Sequence, residues 1–375
     1  MRPEAVAAMS PFLSGTFGNP SGGHAVARAA KTALEEAREL VAARLGASPA
    51  EVVFTAGGSE ADNLAIKGAA HAARAAGTGD GVVTVAFEHK AVLAACDRLE
   101  AEGFRVARVG ATADGIVDLD ALGDALDERT VVVSVMLVNN EIGTIQPLDA
   151  IAGLVRERAP RAVVHTDAVQ AVSWVDVVAL TRGAQLVSIS AHKFGGPKGT
   201  GALVVRDATP LVALIEGGGQ ERGLRAGTSD VASAVAMAAA LDVTATTRAA
   251  EVARLATLRD RLVDGLLATV PGAFENGARA RKVAGNAHVG FEAVEAEALL
   301  VLLDDLGVYA AAGSSCSSGA TEPSHVLAAM RMPRDAALSS VRFSLGYAST
   351  DDDVTVALET VPEAVEKIRI ASGAL

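Results

Sequence analysis

The sequence predicts an α/β fold with a mostly parallel sheet, followed by a smaller α+β domain. Short apolar strands alternate with amphipathic helices through the first half of the chain, which is typical of doubly wound sheets. Val131–Val138 is apolar at every position except Ser134, as expected for a parallel strand that is covered on both faces. The chain has 375 residues, of which 50% are hydrophobic, and is therefore long enough for about two domains.

The elements of the first half follow from the spacing of apolar residues. Residues 26–45 place apolar side chains at helical intervals with charged residues between them, which predicts an amphipathic helix. Further helices are expected from Ala61 and from about Lys90 to Glu102. The predicted strands are short apolar runs: Val52–Phe54, Val82–Phe87, Val131–Val138, Ala162–His165, Leu186–Ile189 and Ala202–Val205.

The second half is predicted to form the smaller domain. Residues 231–268 have a helical pattern that ends before Pro271-Gly272. Beyond them we expect a strand at Ala287–Phe291, a helix at Glu295–Leu306, a loop at Ala312–Gly319, a strand at Val341–Leu345 and a helix at Asp351–Ile370. We therefore assign residues 8–243 to a large domain and residues 244–375, together with 1–7, to a small one.

Composition argues against several classes of function. With 33 basic and 45 acidic residues the net charge is −12, so we expect no direct nucleic-acid partner. The most uniformly apolar stretch, Val231–Leu241, is shorter than the ~18–20 residues of a membrane span. The N-terminus has no basic region followed by an apolar run, so we expect a cytoplasmic protein. Cys96 and Cys316 are far apart and the histidines form no closely spaced pair, so we expect no metal site.

Candidate functional residues follow the predicted strands, where ligands bind in open α/β sheets. Gly57-Gly58-Ser59-Glu60 follows a strand and opens a helix, a pattern that fits either a phosphate cradle or an ordinary N-cap turn. Asp167 ends another strand. The residue alone leaves open whether it caps a helix, forms a salt bridge or binds a protonated pyridine nitrogen.

Lys193 and Cys316 are the candidate reactive side chains. Lys193 lies between a buried strand and a glycine-rich turn, which fits either a Schiff-base nucleophile in an enclosed site or a surface lysine. Cys316 lies in the small, polar segment Gly313–Gly319, an unusual place because cysteine is commonly buried. Cys96 lies on an apolar helix face and is expected in the core. Together, the cradle, the aspartate, the lysine and the loop cysteine indicate pyridoxal 5′-phosphate (PLP) chemistry that uses a thiol.

The sequence resembles the cysteine desulfurases of the iron–sulfur-cluster-assembly type, in the class V aminotransferase group of fold-type-I PLP enzymes. The matching motifs span nearly the whole chain in the family's order: Gly18-Asn19-Pro20-Ser21 with His24, Phe54–Gly68, Glu88–Val92, Val138–Gly143, His165–Gln170, Ser190–Gly201, Gly217–Thr228, Gly313–Cys316 with Glu322–His325, and Ser340–Gly346. Two departures stand out. Gly58-Ser59 occupies the place of a more common Ala-Thr, and the chain begins after the Tyr-Leu-Asp strand that usually opens the family.

The resemblance implies a PLP-binding large domain with a mostly parallel seven-stranded sheet, a small domain with the catalytic cysteine loop, and a homodimer. Lys193 would hold PLP covalently and move the substrate Cα proton, while His89 would stack on the ring. Asp167 would bind the ring nitrogen and Gln170 the phenolate oxygen. The remaining roles would fall to the phosphate ligands Gly58, Ser59, Ser190, His192 and the other subunit's Thr228, and to the substrate-carboxylate ligands Asn140 and Arg342.

The activity implied by the resemblance is the conversion of L-cysteine to L-alanine. Cys316 would attack the substrate sulfur as a thiolate and keep it as a persulfide for an iron–sulfur scaffold or a tRNA-thiolation protein. Two alternatives remain from the sequence. One is a selenocysteine lyase or other PLP-dependent β-eliminase, in which Cys316 would be dispensable. The other is a non-catalytic paralogue that acts as an interaction protein.

Overall fold

The structure is a computed structural model that describes residues 1–313 and 322–373. Its helices are α1 (Pro3–Met9), α2 (Ala25–Leu45), α3 (Gly58–Ala75), α4 (Lys90–Ala101), α5 (Leu119–Ala125), α6 (Leu148–Arg158), α7 (Val177–Leu180), α8 (Val231–Thr269), α9 (Ala296–Asp305), α10 (His325–Ala329), α11 (Arg334–Leu338) and α12 (Asp351–Ser372). Its strands are β1 (Val52–Thr55), β2 (Gly81–Val85), β3 (Arg105–Val109), β4 (Thr130–Ser134), β5 (Val163–Asp167), β6 (Leu186–Ser190), β7 (Gly201–Val205), β8 (Ala273–Glu275), β9 (Asn286–Phe291) and β10 (Ser340–Ser344).

The first of two compact units comprises residues 1–109, 119–137 and 147–248. It contains a seven-stranded sheet of order β1-β7-β6-β5-β4-β2-β3. Strand β7 runs antiparallel to β1 and β6, and the other neighbouring strands are parallel. The predicted α/β fold with a mostly parallel sheet is confirmed.

The core of this unit forms where α3 and α4 cover the sheet. Leu64 of α3 and Leu99 of α4 pack in one cluster with Val82 of β2, Val132 of β4 and Leu186 of β6. Every residue of β2, β4 and β6 is buried, as expected for strands covered on both faces. The packed strands hold the carboxyl ends of β5 and β6 in fixed positions.

The second unit comprises residues 110–118, 138–146 and the chain from 249 onward. Its three-stranded antiparallel sheet has the order β10-β9-β8, and α9 packs on α12. Among the described residues, no helix combines the length and the apolar character that crossing a membrane would need.

The unit boundaries differ from the predicted ones in four places, and one of them is residues 110–118, which belong to the second unit. Residues 1–7 belong to the first unit, where the backbone N–H of Arg2 donates to the carbonyl of Gly195 at 2.8 Å. The division within α8 follows Arg248 and not residue 243. The predicted strand Val131–Val138 ends as β4 at Ser134, and from Val138 the chain enters the second unit. Apolar character alone does not show where strand pairing stops.

Candidate active site

The candidate site of the first unit lies at the carboxyl edge of the sheet. Asp167 is the last residue of β5 and Ser190 is the last residue of β6. Because these neighbouring strands are parallel, both residues lie at the edge where open α/β sheets bind ligands. The turn Ala191–Lys193 continues directly from β6 and places His192 and Lys193 at the same edge. Lys193 is exposed in the described chain, which is one of the two positions that the sequence left open.

Asp167 is a buried carboxyl group near the basic side chains of His89 and Lys193. Its Oδ1 accepts a hydrogen bond from the Val169 backbone N–H at 2.8 Å. Burial raises the pKa of Asp167, whereas the Val169 hydrogen bond and the charges of His89 and Lys193 lower it. Asp167 therefore interacts electrostatically with both His89 and Lys193.

His89 is held by the start of a helix. It is the N-cap residue of α4, and its Nδ1 accepts from the Ala91 backbone N–H at 3.2 Å. Side-chain atoms of His89, Asp167 and Asp62 all lie within 4.8 Å of one another. His89 and Asp167 thus reach the same space. The group also has the spacing of a metal site, so the absence of a metal site stays a prediction.

The start of α3 offers backbone donors next to the hydroxyl of Ser190. Gly57 has a φ of 125°, which non-glycine residues rarely adopt, and it places Gly58 at the first helical position. Ser190 Oγ lies 3.8 Å from where a Cβ on Gly57 would be, and 2.9 Å from His192 Nδ1. A helix N-terminus with adjacent hydroxyl and imidazole groups is suited to bind phosphate.

The departure at Gly58 has a steric explanation. A Cβ added to Gly58 would lie 2.8 Å from Val169 Cγ2 and 3.5 Å from Ser190 Cβ. Real Cβ atoms essentially never approach another heavy atom to 2.8 Å. The side chain of Val169 therefore fills the space that an alanine at position 58 would need.

Three other predicted cofactor ligands lie in the same unit. Ser59 is exposed in the first turn of α3, and Gln170 is half-buried in the turn after β5. Thr228 is exposed, and it lines one surface hollow with Ala56 and another with Phe17.

The predicted carboxylate ligands Asn140 and Arg342 meet in the second unit. Arg342 Nη1 donates to the backbone carbonyl of Asn140 at 2.7 Å. Arg342 Nε is buried without a hydrogen-bond partner among the described residues. Burial lowers the pKa of Arg342, and the nearby Glu141 raises it. A buried guanidinium with a spare donor is suited to bind a carboxylate.

Cys316 lies outside the described residues. The chain on both sides of residues 314–321 contacts Glu141, which is fully buried. Ser324 Oγ donates to Glu141 Oε2, and a Cβ on Gly313 would lie 3.5 Å from the same oxygen.

Sequence reasoning missed a group of buried polar residues near Asp167: Asp62, Glu88, Ser134, His165 and Ser188. Its members come from several separate elements, so no local motif joins them. One signal was present. Side chains two residues apart in a strand share a face, which places His165 on the face of Asp167.

Comparison with known proteins decides the family. The family description "Aminotransferase class-V" matches residues 1–356. An IscS-like cysteine desulfurase of Mycobacterium tuberculosis is 45% identical over 377 residues, covering 99% of this chain and 95% of the relative. A cysteine desulfurase IscS of Dictyoglomus turgidum is 41% identical over 372 residues, covering 99% of this chain and 93% of the relative. The chain belongs to the cysteine desulfurase family.

Solved structures agree with this assignment. A NifS-like protein superposes with a TM-score of 0.91 at 33% identity, covering 98% of this chain and 96% of the other. The protein described as SspA in complex with cysteine has a TM-score of 0.80 at 32% identity, covering 92% and 95%. The expected fold-type-I architecture is confirmed.

Cysteine desulfurases of class V depend on PLP, and the site of this cysteine desulfurase fits that cofactor. The start of α3 has backbone donors for a phosphate, and the absence of a Cβ at Gly57 and Gly58 leaves it open. Asp167 is a carboxyl group whose pKa is lowered by the neighbouring His89 and Lys193, which favours the anion that a ring-nitrogen partner needs.

Proposed function

We propose that this cysteine desulfurase converts L-cysteine to L-alanine, holds the removed sulfur as a persulfide on Cys316, and passes it to an acceptor protein. The observation that carries the proposal is the grouping of His89, Asp167 and Lys193 at the carboxyl edge of the sheet. Acceptors of two kinds fit this chemistry, an iron–sulfur scaffold and a tRNA-thiolation protein. A cytoplasmic location is part of the proposal.

In this proposal the residues of the first unit would divide the binding of the cofactor among them. Lys193 would hold PLP covalently and would also move the substrate Cα proton. His89 would stack on the ring, Asp167 would hold the ring nitrogen, and Gln170 would bind the phenolate oxygen. The phosphate would be bound by the start of α3 and the end of β6, through Gly58, Ser59, Ser190 and His192. When bound, the cofactor supplies an electron sink for the substrate carbon atoms.

Arg342 and Asn140 are proposed to hold the substrate carboxylate. The spare Nε donor of Arg342 and its charge favour a carboxylate, and the hydrogen bond to the Asn140 carbonyl orients the guanidinium. The complex of SspA with cysteine supports an amino acid with this carboxylate as substrate. The Cys316 thiolate then forms a bond to the substrate sulfur, the carbon–sulfur bond breaks, and the carbon takes up a proton to give alanine.

A homodimer is part of the proposal. Thr228 is exposed in this chain and would bind the phosphate of the other subunit. Large apolar side chains lie exposed in the same unit, with Phe17 at 78% and Leu13 at 59% exposure. Both line a surface hollow with Thr228, and covering them with a second copy would remove apolar area from water.

The proposal is tested by measuring alanine and sulfide from L-cysteine in the presence of PLP and a thiol reductant. Wild type, Cys316→Ser and the control Cys96→Ser are compared. We expect activity in wild type and Cys96→Ser and none in Cys316→Ser. Equal sulfide release in all three would indicate a selenocysteine lyase, if alanine is formed, or another β-eliminase, if it is not. No activity in any of them, together with no PLP binding, would indicate an interaction protein.

A further inference from the structure

A row of buried polar side chains lies behind the carboxylate at the end of β5. Ser134 Oγ is 2.9 Å from His165 Nδ1 and 3.5 Å from Glu88 Oε1. His165 Nε2 is 3.0 Å from Ser188 Oγ and 3.6 Å from Asp62 Oδ1. None is more than 1% exposed. We call these residues the buried polar chain: Glu88, Ser134, His165, Ser188 and Asp62.

His165 joins the two ends of the buried polar chain. Burial lowers the pKa of His165 to about 3, so the ring is neutral, and one ring nitrogen donates while the other accepts. Ser134 and Ser188 are the hydrogen-bond partners of these two nitrogens. Ser188 is also a hydrogen-bond partner of Asp62, so the chain ends on a buried carboxyl group.

Electrostatic interactions near Asp167 favour the protonated, neutral form of Asp62. Side-chain oxygens of Asp62 and Asp167 lie within 4.8 Å, and two buried carboxylates so close do not both ionise. Asp167 is stabilised as an anion by the Val169 N–H at 2.8 Å and by the charges of His89 and Lys193. In the part of the chain that the structure describes, no cation lowers the pKa of Asp62 in this way. Burial and the charges of Asp167 and Glu88 raise its pKa, against the Ser188 hydrogen bond, and its Oδ1 has no hydrogen-bond partner among the described residues.

We propose that Asp62 is a positioning residue for the desulfurase reaction: a neutral carboxylic acid at the end of the buried polar chain that leaves its neighbour Asp167 as the ionised carboxylate facing the cofactor ring. The inference rests on the proposed function, because it explains how the ring-nitrogen partner keeps its charge. It requires a side chain at position 62 that is polar and bonds to Ser188 but carries no charge. An amide should therefore replace the acid, and an apolar side chain should not.

The test compares Asp62→Asn with Asp62→Leu and Ser188→Ala in the PLP-bound enzyme. The control is Asp124→Asn, which makes the same acid-to-amide change on the exposed face of α5. The readouts are the dissociation constant for PLP, the pH titration of its visible absorption, and the melting temperature as a function of pH.

We expect Asp62→Asn to bind PLP within a few-fold of wild type with an unchanged titration. Asp62→Leu and Ser188→Ala should bind tenfold or more weakly and shift the titration. A carboxyl group whose pKa is raised by folding loses stability as pH rises above its ordinary value. Wild type should therefore lose melting temperature between about pH 5 and pH 9 more steeply than Asp62→Asn.

The inference is wrong if Asp62→Asn is as damaging as Asp62→Leu, since Asp62 would then act as an anion. It is also wrong if neither Asp62→Leu nor Ser188→Ala changes the PLP readouts. If Asp62→Leu does not fold, the comparison of Ser188→Ala with Asp62→Asn still tests the inference. Alanine formation by wild type is measured in the same preparations, so a failure of the proposed function is recognised separately from the PLP readouts.

Discussion

Gly58→Ala should weaken cofactor binding because the space for its side chain is already filled. The new Cβ would lie 2.8 Å from Val169 Cγ2 and 3.5 Å from Ser190 Cβ. Val169 is constrained in turn, because its backbone N–H donates to Asp167 at 2.8 Å. Relieving the contact therefore displaces the start of α3 or the turn that holds Asp167, and both face the proposed cofactor.

Two opposing effects determine the size of the change. Overpacking by one methyl group costs about 1–3 kcal/mol. Alanine is better than glycine inside a helix by at most about 1 kcal/mol, and position 58 is only the first helical residue. The steric cost is the larger effect, so we expect a net loss of about 1–2 kcal/mol. If this free energy is lost from the stability of the PLP complex, the affinity for PLP decreases about 5- to 30-fold.

A double-mutant cycle measures this contact. PLP affinity and thermal unfolding are compared for wild type, Gly58→Ala, Val169→Ala and the double variant. The double variant should recover most of what Gly58→Ala loses. The control is Gly153→Ala within α6, where an added Cβ meets no atom within 4 Å. The reasoning is refuted if Gly58→Ala behaves like Gly153→Ala, or if Val169→Ala does not rescue it.

Three further predictions concern other residues. Arg342→Lys loses one charge-assisted hydrogen bond, which is worth about 1.5–3 kcal/mol, so KM for L-cysteine should rise about 10- to 150-fold. The exposed control Arg156→Lys should leave KM unchanged. An unchanged KM in Arg342→Lys would contradict the proposed role of Arg342. Thr228→Ala should weaken PLP binding about tenfold or more while light scattering still gives a dimer, and full affinity would exclude Thr228 as a phosphate ligand. Burial lowers the pKa of His288 to about 3, so between pH 3 and its ordinary value the unfolded chain binds the extra proton and stability increases with pH. His288→Asn should reduce this slope by about 1.4 kcal/mol per pH unit in denaturant titrations, and an equal slope would contradict a neutral His288.

Much of the fold was predictable because the buried strands have strong local patterns. Strands β6 and β7 are apolar and fully buried, and the sequence predicts them within one residue at each end. Strand β3 was missed. It is an edge strand that pairs only with β2 and carries exposed Arg105, so it has no apolar run. Helix α6 and the three-residue strand β8 were also missed. Each lies between segments whose apolar patterns are stronger than its own.

The part of the candidate site that could be predicted consists of residues at the carboxyl ends of strands. Asp167 and Lys193 follow neighbouring parallel strands, so their proximity could be expected from the strand order. The buried polar chain could not, because its members are joined only by contacts between distant segments, such as Asp62 on α3 with His165 on β5. The sequence also left open whether Lys193 is enclosed or exposed, because a residue after a buried strand has no signal for how much of it is covered.

Peptide mass spectrometry after reaction with L-cysteine, without reductant, would establish where the sulfur goes. The proposed function predicts one added sulfur atom on the peptide that contains Cys316, in proportion to the alanine formed. Cys96 is an internal control, because burial raises its pKa to about 12 and keeps it a thiol. Alanine formed with no added sulfur on Cys316, or with the sulfur on Cys96, would contradict the persulfide mechanism.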